Sequence, residues 1–257
     1  MLESKKIIAS IEARMTSSRL PGKVLMPAIE KITMLEFMIN RLKMSKKVDD
    51  IIIATTTNES DNSIINLCKK NKIKFFRGSE DDVLERVYEC HKEFKSDVVV
   101  ELTGDCPLID PKIVDDVINY YLNNSFDYVS NSHVRSFPMG LDVEVFSFEL
   151  LKQINTKTQD PFDREHVSTY FYTSGLYDCG EIIANKKLYW PDLRLTLDDN
   201  GDYLFLKKII KNFYPSHGFN FNSELIINYI KENKILLKLL DGVRETNNPH
   251  EKIANKK

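Results

Sequence analysis

Along the first two-thirds of the chain, short β-branched runs alternate with stretches whose apolar positions recur every three to four residues. Ile7-Ile8-Ala9-Ser10-Ile11, Ile51-Ile52-Ile53-Ala54-Thr55, Ile73 to Phe76 and Val98-Val99-Val100-Glu101-Leu102 read as strands. Helices fill the intervals. The clearest runs from Asp82 to about Phe94, where Val83, Leu84, Val87, Tyr88, His91 and Phe94 share a face and Ser79 and Asp82 form a capping pair. Asp110-Pro111 reads as an N-cap followed by proline at the first helical position, opening a helix from Pro111 to Leu122. Strands and helices taking turns predict an α/β chain with a mostly parallel sheet flanked by helices.

From Tyr128 to about Leu195 the rhythm changes. Val143, Val145 and Phe146 are strand-like, and helices are expected near Phe148 to Ile154 and Arg164 to Tyr172. This reads as a small inserted subdomain, 128–195, at one edge of the sheet. Asp202 to Phe213 and Ser223 to Leu237 are closing helices, which makes 1–242 one domain. The polar stretch 243–257, with Arg244 to Lys257, is expected to be a frayed, flexible tail.

Composition narrows the partners. With 36 Lys and Arg against 38 Asp and Glu in 257 residues, the net charge of -2 gives no reason to expect nucleic acid or an anionic membrane. Anion-binding chemistry must be local. Cys68, Cys90, Cys106 and Cys179 stand too far apart for a zinc motif or a secreted disulfide scaffold, so a reducing, cytoplasmic setting is expected. After Lys5-Lys6 the apolar run Ile7 to Ile11 is broken by Glu12 and Arg14, too soon for a signal peptide or membrane span.

Three segments carry chemistry. Ala13-Arg14-Met15-Thr16-Ser17-Ser18-Arg19-Leu20-Pro21-Gly22-Lys23 follows the first strand, at the sheet edge where open α/β folds bind ligands. Small hydroxyl residues leave backbone N–H groups approachable, and Arg14, Arg19 and Lys23 gather the cations a triphosphate needs. No Walker A motif is present, because Gly22-Lys23 runs into Val24 without an upstream glycine at the required spacing. A solvated basic loop is the alternative. Thr103-Gly104-Asp105 ends the fourth strand, and its carboxylate suits Mg²⁺ bridging phosphate oxygens, although Asp after Gly is also an ordinary turn. Arg194 to Asp202 offers another short strand ending in carboxylates, with Asp198 the better metal ligand and Asp202 the better helix cap.

These segments together resemble the cytidylyltransferase family that makes CMP-activated acidic sugars, and within it the SpsF-like branch of spore-coat polysaccharide synthesis. The resemblance spans most of residues 6 to 237. It rests on Ala-Arg-Met-x-Ser-Ser-Arg-Leu-Pro-Gly-Lys at 13–23, on Arg77-Gly78-Ser79-Glu80-Asp81-Asp82-Val83-Leu84-Glu85-Arg86, on Thr103 to Leu108, and on Arg164-Glu165-His166-Val167. It implies a Rossmann-like nucleotidyltransferase fold that takes a nucleoside triphosphate, CTP, with Arg14, Ser18, Arg19 and Lys23 on the phosphates and Asp105 and Asp198 holding Mg²⁺. Ala13, Met15, Ser17, Thr103 and Gly104 complete the candidate nucleotide site, with Arg77 and Asp82 within reach. Arg14, Lys23, Asp105 and Asp198 are the candidate catalytic residues. The chain departs from the family where many relatives read Leu-Asp-Thr-Pro-Glu-Asp and it reads Leu197-Asp198-Asp199-Asn200-Gly201-Asp202. Thr103 also stands where enzymes acting on keto-sugar acids carry Gln, so their acceptor does not transfer automatically.

On the acceptor side, Pro138 to Glu144 looks like the family's Gly-x-Asp-x-Glu strand, giving Gly140, Asp142 and Glu144 as candidates. Two exposed carboxylates that keep an edge strand from aggregating are the alternative. Arg164 and His166 are candidates for an acceptor carboxylate or phosphate, or simply a charged helix start. The lone Trp190 is packing. The expected reaction joins CMP to an acidic sugar, or to a phosphorylated sugar or polyol, with release of pyrophosphate for surface glycan synthesis. A GTP- or UTP-dependent sugar-1-phosphate nucleotidyltransferase and a non-catalytic nucleotide-binding scaffold are the competing readings. The aromatic content of 128–195 and the resemblance together predict a homodimer.

Overall fold

Three of the four early strand segments, at Ile7–Glu12, Asp50–Thr56 and Val98–Thr103, are rich in Ile and Val, the pattern of a strand covered on both faces, whereas the fourth, Lys74–Gly78, has no β-branched residue and lies at the sheet edge. A computed structural model describes residues 5–240. In chain order its elements begin β1 (Ile7–Glu12), β2 (Pro27–Ile29), β3 (Ile32–Thr33), α1 (Met34–Leu42), β4 (Asp50–Thr56), α2 (Asn62–Lys70), β5 (Lys74–Gly78), α3 (Val83–Phe94), β6 (Val98–Thr103) and α4 (Pro111–Asn123). They continue β7 (Tyr128–Ser130), β8 (Glu144–Ser147), α5 (Phe148–Lys157), α6 (Pro161–His166), α7 (Thr169–Thr173), β9 (Cys179–Glu181), α8 (Asn200–His217) and α9 (Ser223–Glu232).

Seven strands form one sheet in the order β5-β4-β1-β6-β8-β7-β9, with β2 and β3 as a separate hairpin. Within the seven-stranded sheet all pairings are parallel except those of β8, which runs against both β6 and β7. The sheet is therefore mostly parallel, and the 128–195 region supplies three of its strands. One face carries Ile7, Ala9, Ile11, Val98 and Val100 into the larger core with α1, α4, α8 and α9. The other carries Val99, Tyr128 and Phe146 beneath α3, α5 and α7.

Caps fall where small polar residues precede apolar periods. Asp82 caps α3 and Asp110 caps α4. The second carboxylate oxygen of Asp110 takes the N–H and hydroxyl of Ser223, which ties α4 to α9. The fully buried Arg41 donates to the carbonyls of Ile109, Phe219 and Phe221, satisfying the backbone of two loops at once.

Several expectations need correction. The helix expected over Arg164 to Tyr172 is two helices, α6 and α7, broken at Val167, whose φ of 51° no α-helix accommodates. The helix expected to run from Ser223 to Leu237 ends at Glu232, and a 3₁₀ turn follows at Lys234–Leu240. Asp199, not Asp202, caps α8; its carboxylate accepts the N–H groups of Gly201 and Asp202, while Asp202 closes a capping box as the third helical residue. Arg194 to Asp198 is extended but makes only a single bridge, Met139 to Arg194, in place of a strand. β8 is internal, so the edge-strand explanation for Asp142 and Glu144 does not hold. Trp190 packs against the core as expected.

Candidate active site

β1 and β6 are parallel neighbours, so the segments that follow them emerge at the same carboxyl edge. They approach closely: the Gly104 N–H donates to the Glu12 carbonyl at 2.8 Å, and a Cβ on Gly104 would stand 2.6 Å from that oxygen. Only glycine fits there. The 13–23 loop is pinned at its start by the fully buried Asp61, which accepts the Met15 N–H at 2.8 Å, and is closed by the Gly22 N–H on the Met15 carbonyl at 2.9 Å. Gly22 adopts φ 72°, and Lys23 opens the short 3₁₀ turn that follows.

The 193–197 segment is stitched to this edge by backbone bonds. Met139 N–H donates to Leu193, Leu195 N–H to Met139, and Leu197 N–H to Asp105 at 2.8 Å. Asp198 is thereby carried to Asp105 across 93 positions. Lys23 Nζ stands between them, 2.9 Å from Asp105 and 3.1 Å from Asp198, and Arg19 reaches Asp198 at 2.8 Å. Burial would raise the Asp105 carboxyl, but the Lys23 ammonium and its hydrogen bond outweigh it and hold the group below its ordinary value. Burial would likewise lower Lys23, and the two carboxylates reverse that and raise it.

A cavity of about 280 Å³ opens beside this cluster. Arg19, Thr103, Asp105 and Asp198 wall one end; Asp142, Glu144, His166 and Tyr172 lie on its other walls. Asp142 is forked by Arg135 at 2.5 and 3.3 Å, and Ser132 donates to Glu144 at 3.4 Å. Arg14 is exposed and pairs with Glu80 at 3.6 Å, and Ser18 is also exposed. Ala13 is buried beneath the loop.

Four candidates belong to the frame. Arg77 donates to the carbonyls of Thr56 and Asn58, which fixes the loop after β4. Asp82 caps α3 and also takes the Arg164 guanidinium at 2.9 and 2.6 Å, and Arg164 further donates to the Asn155 carbonyl. Neither Arg164 nor Asp82 reaches the cavity wall. Gly140, at φ 96°, lets the chain pass the Leu195 backbone, which a Cβ would meet at 2.7 Å. Sequence reasoning missed Glu12, Glu101, Ser132, Arg135, Ser168 and Tyr172, all of them on the wall. A signal existed for the first two: glutamate is a poor strand former, and both stand at the ends of β-branched runs.

A basic loop and two convergent carboxylates at the carboxyl edge of a mostly parallel sheet define a nucleotidyltransferase. The cytidylyltransferase family model matches residues 8–213, and the chain belongs to that family, in its SpsF-like branch. It is 33% identical to the spore coat polysaccharide biosynthesis protein SpsF of Bacillus subtilis over 210 residues, 79% of this chain and 85% of that protein. A cytidylyltransferase structure from Leptospira borgpetersenii matches with TM-score 0.86 at 33% identity, covering 94% of this chain and all of that one. At 16% identity and TM-score 0.61, over 80% of this chain and 99% of the other, a CMP:2-keto-3-deoxy-manno-octonic acid synthetase complexed with CTP shares the fold. No helix among the described residues is long and apolar enough to cross a membrane.

Proposed function

We propose that the protein transfers the CMP moiety of CTP to an oxygen of a small sugar-like acceptor, with release of pyrophosphate, in a Mg²⁺-dependent step of surface glycan synthesis. The observation that carries this reading is the Lys23 ammonium held between Asp105 and Asp198 at the end of the cavity. The acceptor oxygen attacks the α-phosphorus, the bond to the β-phosphate oxygen breaks, and its electron pair leaves with pyrophosphate. Lys23, with Arg14 and Arg19 on the exposed loop, offsets the charge gathering on the departing phosphates.

The donor set suits the metal. Two carboxylate oxygens that share one ammonium at about 3 Å are close enough to share a hard dication, with phosphate and water oxygens completing its shell. Asp105 and Asp198 would hold it, and when bound it supplies Lewis-acid polarisation of the α-phosphate. A sugar acid or a phosphorylated sugar or polyol offers a suitable oxygen, and His166 on the cavity wall would meet its anion. The names of the relatives, a polysaccharide biosynthesis protein and a synthetase complexed with CTP, support this choice over GTP or UTP. A cytoplasmic setting and a homodimer accompany the reading; exposed Leu176 and Ile183 support a partner surface in 128–195.

Pyrophosphate release measured with CTP, GTP, UTP and ATP, each against a panel of sugar acids and phosphorylated sugars, tests the proposal. Strong preference for CTP and dependence on Mg²⁺ are expected. Equal turnover with GTP or UTP, or full activity in excess chelator, overturns it.

A further inference from the structure

The far end of the cavity carries charge that cytidylyl transfer leaves unused. Glu101 is directly opposite Glu144 across the β6–β8 pair, and Glu12 is its diagonal neighbour across β1–β6, where Glu101 faces Ser10 and Glu12 faces Thr103. Three carboxyls therefore lie side by side on one face of the sheet, and all three border the cavity. Glu101 is only 7% exposed, and its hydrogen-bonding neighbours are the other two carboxyls. Glu12 Oε1 and Glu144 Oε2 are buried without any hydrogen-bond partner.

Like charges facing each other across strands destabilise a sheet, and buried carboxylates are costly unless paired. The nearby cations are committed elsewhere among the described residues: Lys23 and Arg19 to Asp105 and Asp198, Arg135 to Asp142, and Arg194 to Asp202. Arg86 acts on Glu12 through space without forming an ion pair with it; its hydrogen bonds go to the Ser79 and Glu80 carbonyls, and its Nε is buried without a partner. Burial, then Glu12 and Glu144, push Glu101 well above the usual carboxylate range. The triad therefore favours positive charge or protons more than isolated glutamates do.

We propose that Glu12, Glu101 and Glu144 bind a protonated amine on the acceptor, so that the molecule receiving CMP is an amino-bearing sugar or polyol. This rests on the cavity being the acceptor site of the transfer reaction. An ammonium presents three N–H donors, and here two buried carboxyl oxygens, Oε1 of Glu12 and Oε2 of Glu144, lack donors. It would place positive charge among the carboxyls and relieve the repulsion within the triad, whereas a neutral hydroxyl would leave that repulsion in place.

The test is calorimetric titration of the whole protein, without nucleotide, using glucosamine, glucose and N-acetylglucosamine as probes of closely matched shape. Glucosamine should bind about tenfold tighter than either uncharged counterpart. Glu101→Gln and Glu144→Gln, with folding checked by near-UV circular dichroism, should each remove most of that preference. Equal binding of the three sugars by the wild type overturns the proposal, even if neither variant folds; so does a folded variant that keeps the full preference. Because nucleotide is absent, failure of CTP turnover and failure of amine recognition are read separately.

Discussion

At the loop end of the cavity Asp105 and Asp198 meet the Lys23 ammonium, whereas at the β8 end Glu12, Glu101 and Glu144 meet one another. The first arrangement is electrostatically closed: each charge lowers the cost of burying its partner. The second is open and gains from a guest. Both are built on neighbouring strands of one sheet, so the contrast arises from what each strand end carries and not from different scaffolds. On the proposed reading, the nucleotide takes the pre-assembled end and the acceptor the unsatisfied end, a division of labour that places specificity where the protein lacks partners of its own.

The largest test of this contrast is at the closed end. If Asp105 and Asp198 share one cation, Asp105→Asn and Asp198→Asn should each abolish most turnover, and the double variant should be scarcely worse than either single. Losses that multiply as independent effects would show that the two do not act together. Lys23→Ala should cost about 10²-fold in turnover, or about 3 kcal/mol, because its contact strengthens as charge moves onto pyrophosphate. Near-normal turnover in that variant would return the loop to a merely solvated role.

The same contrast explains what could be read in the sequence. Arg14, Arg19, Lys23 and Asp105 lie in contiguous blocks that follow predicted strands, so order along the chain already placed them at one edge. Asp198 joined them on the strength of its position after an extended run, although the link is backbone hydrogen bonding to Met139 and Asp105. The triad was illegible by that method: Glu12, Glu101 and Glu144 become neighbours only through the strand order β1-β6-β8 and its register, which no local pattern specifies. Arg164 and Asp82 present the opposite case. Their motif is prominent in the sequence, but their charges are used on each other, holding α6 against α3.

Acid–base titration should separate Asp105 from the carboxyls on the β8 side of the sheet, with a smaller effect. Asp105 is held below its ordinary 3.8, so its stabilisation is present above that value and is lost as pH falls through the lower folded pKa. Carboxyls of the β8 half behave oppositely. Burial raises Glu181 on β9 from 4.5 to about 8, so the folded state binds more protons than the unfolded one between these values. Its contribution is complete below 4.5 and is lost as pH rises to about 8. Thermal melting should therefore show Tm falling across that window, and Glu181→Gln, which can still accept the Ser130 hydroxyl, should flatten the fall. A Tm that rises over the window in the wild type, or a slope that the variant leaves unchanged, would remove Glu181 from the account.

The smallest effect concerns the backbone. Both ends of the cavity depend on a residue at positive φ, but the loop end places Gly22 there at 72°, and the β8 end uses Val167 at φ 51° and ψ -64°. With the Ser168 N–H on the His166 carbonyl, Val167 is the middle of a γ-turn of the rare positive-φ kind, which sets His166 and Ser168 on the cavity wall. A β-branched residue in that region carries strain on the order of 1–3 kcal/mol, and its side chain, 1% exposed among Leu84, Phe146 and Phe171, recovers part of it by packing. Val167→Ala keeps the turn's strain and loses methyl packing, and should cost about 2 kcal/mol in urea unfolding. Val167→Gly loses the same packing but also the strain, and should fall within about 1 kcal/mol of wild type. The usual order, in which glycine is the worse substitution, would mean that the turn is unstrained and that the two ends of the cavity do not differ in this respect.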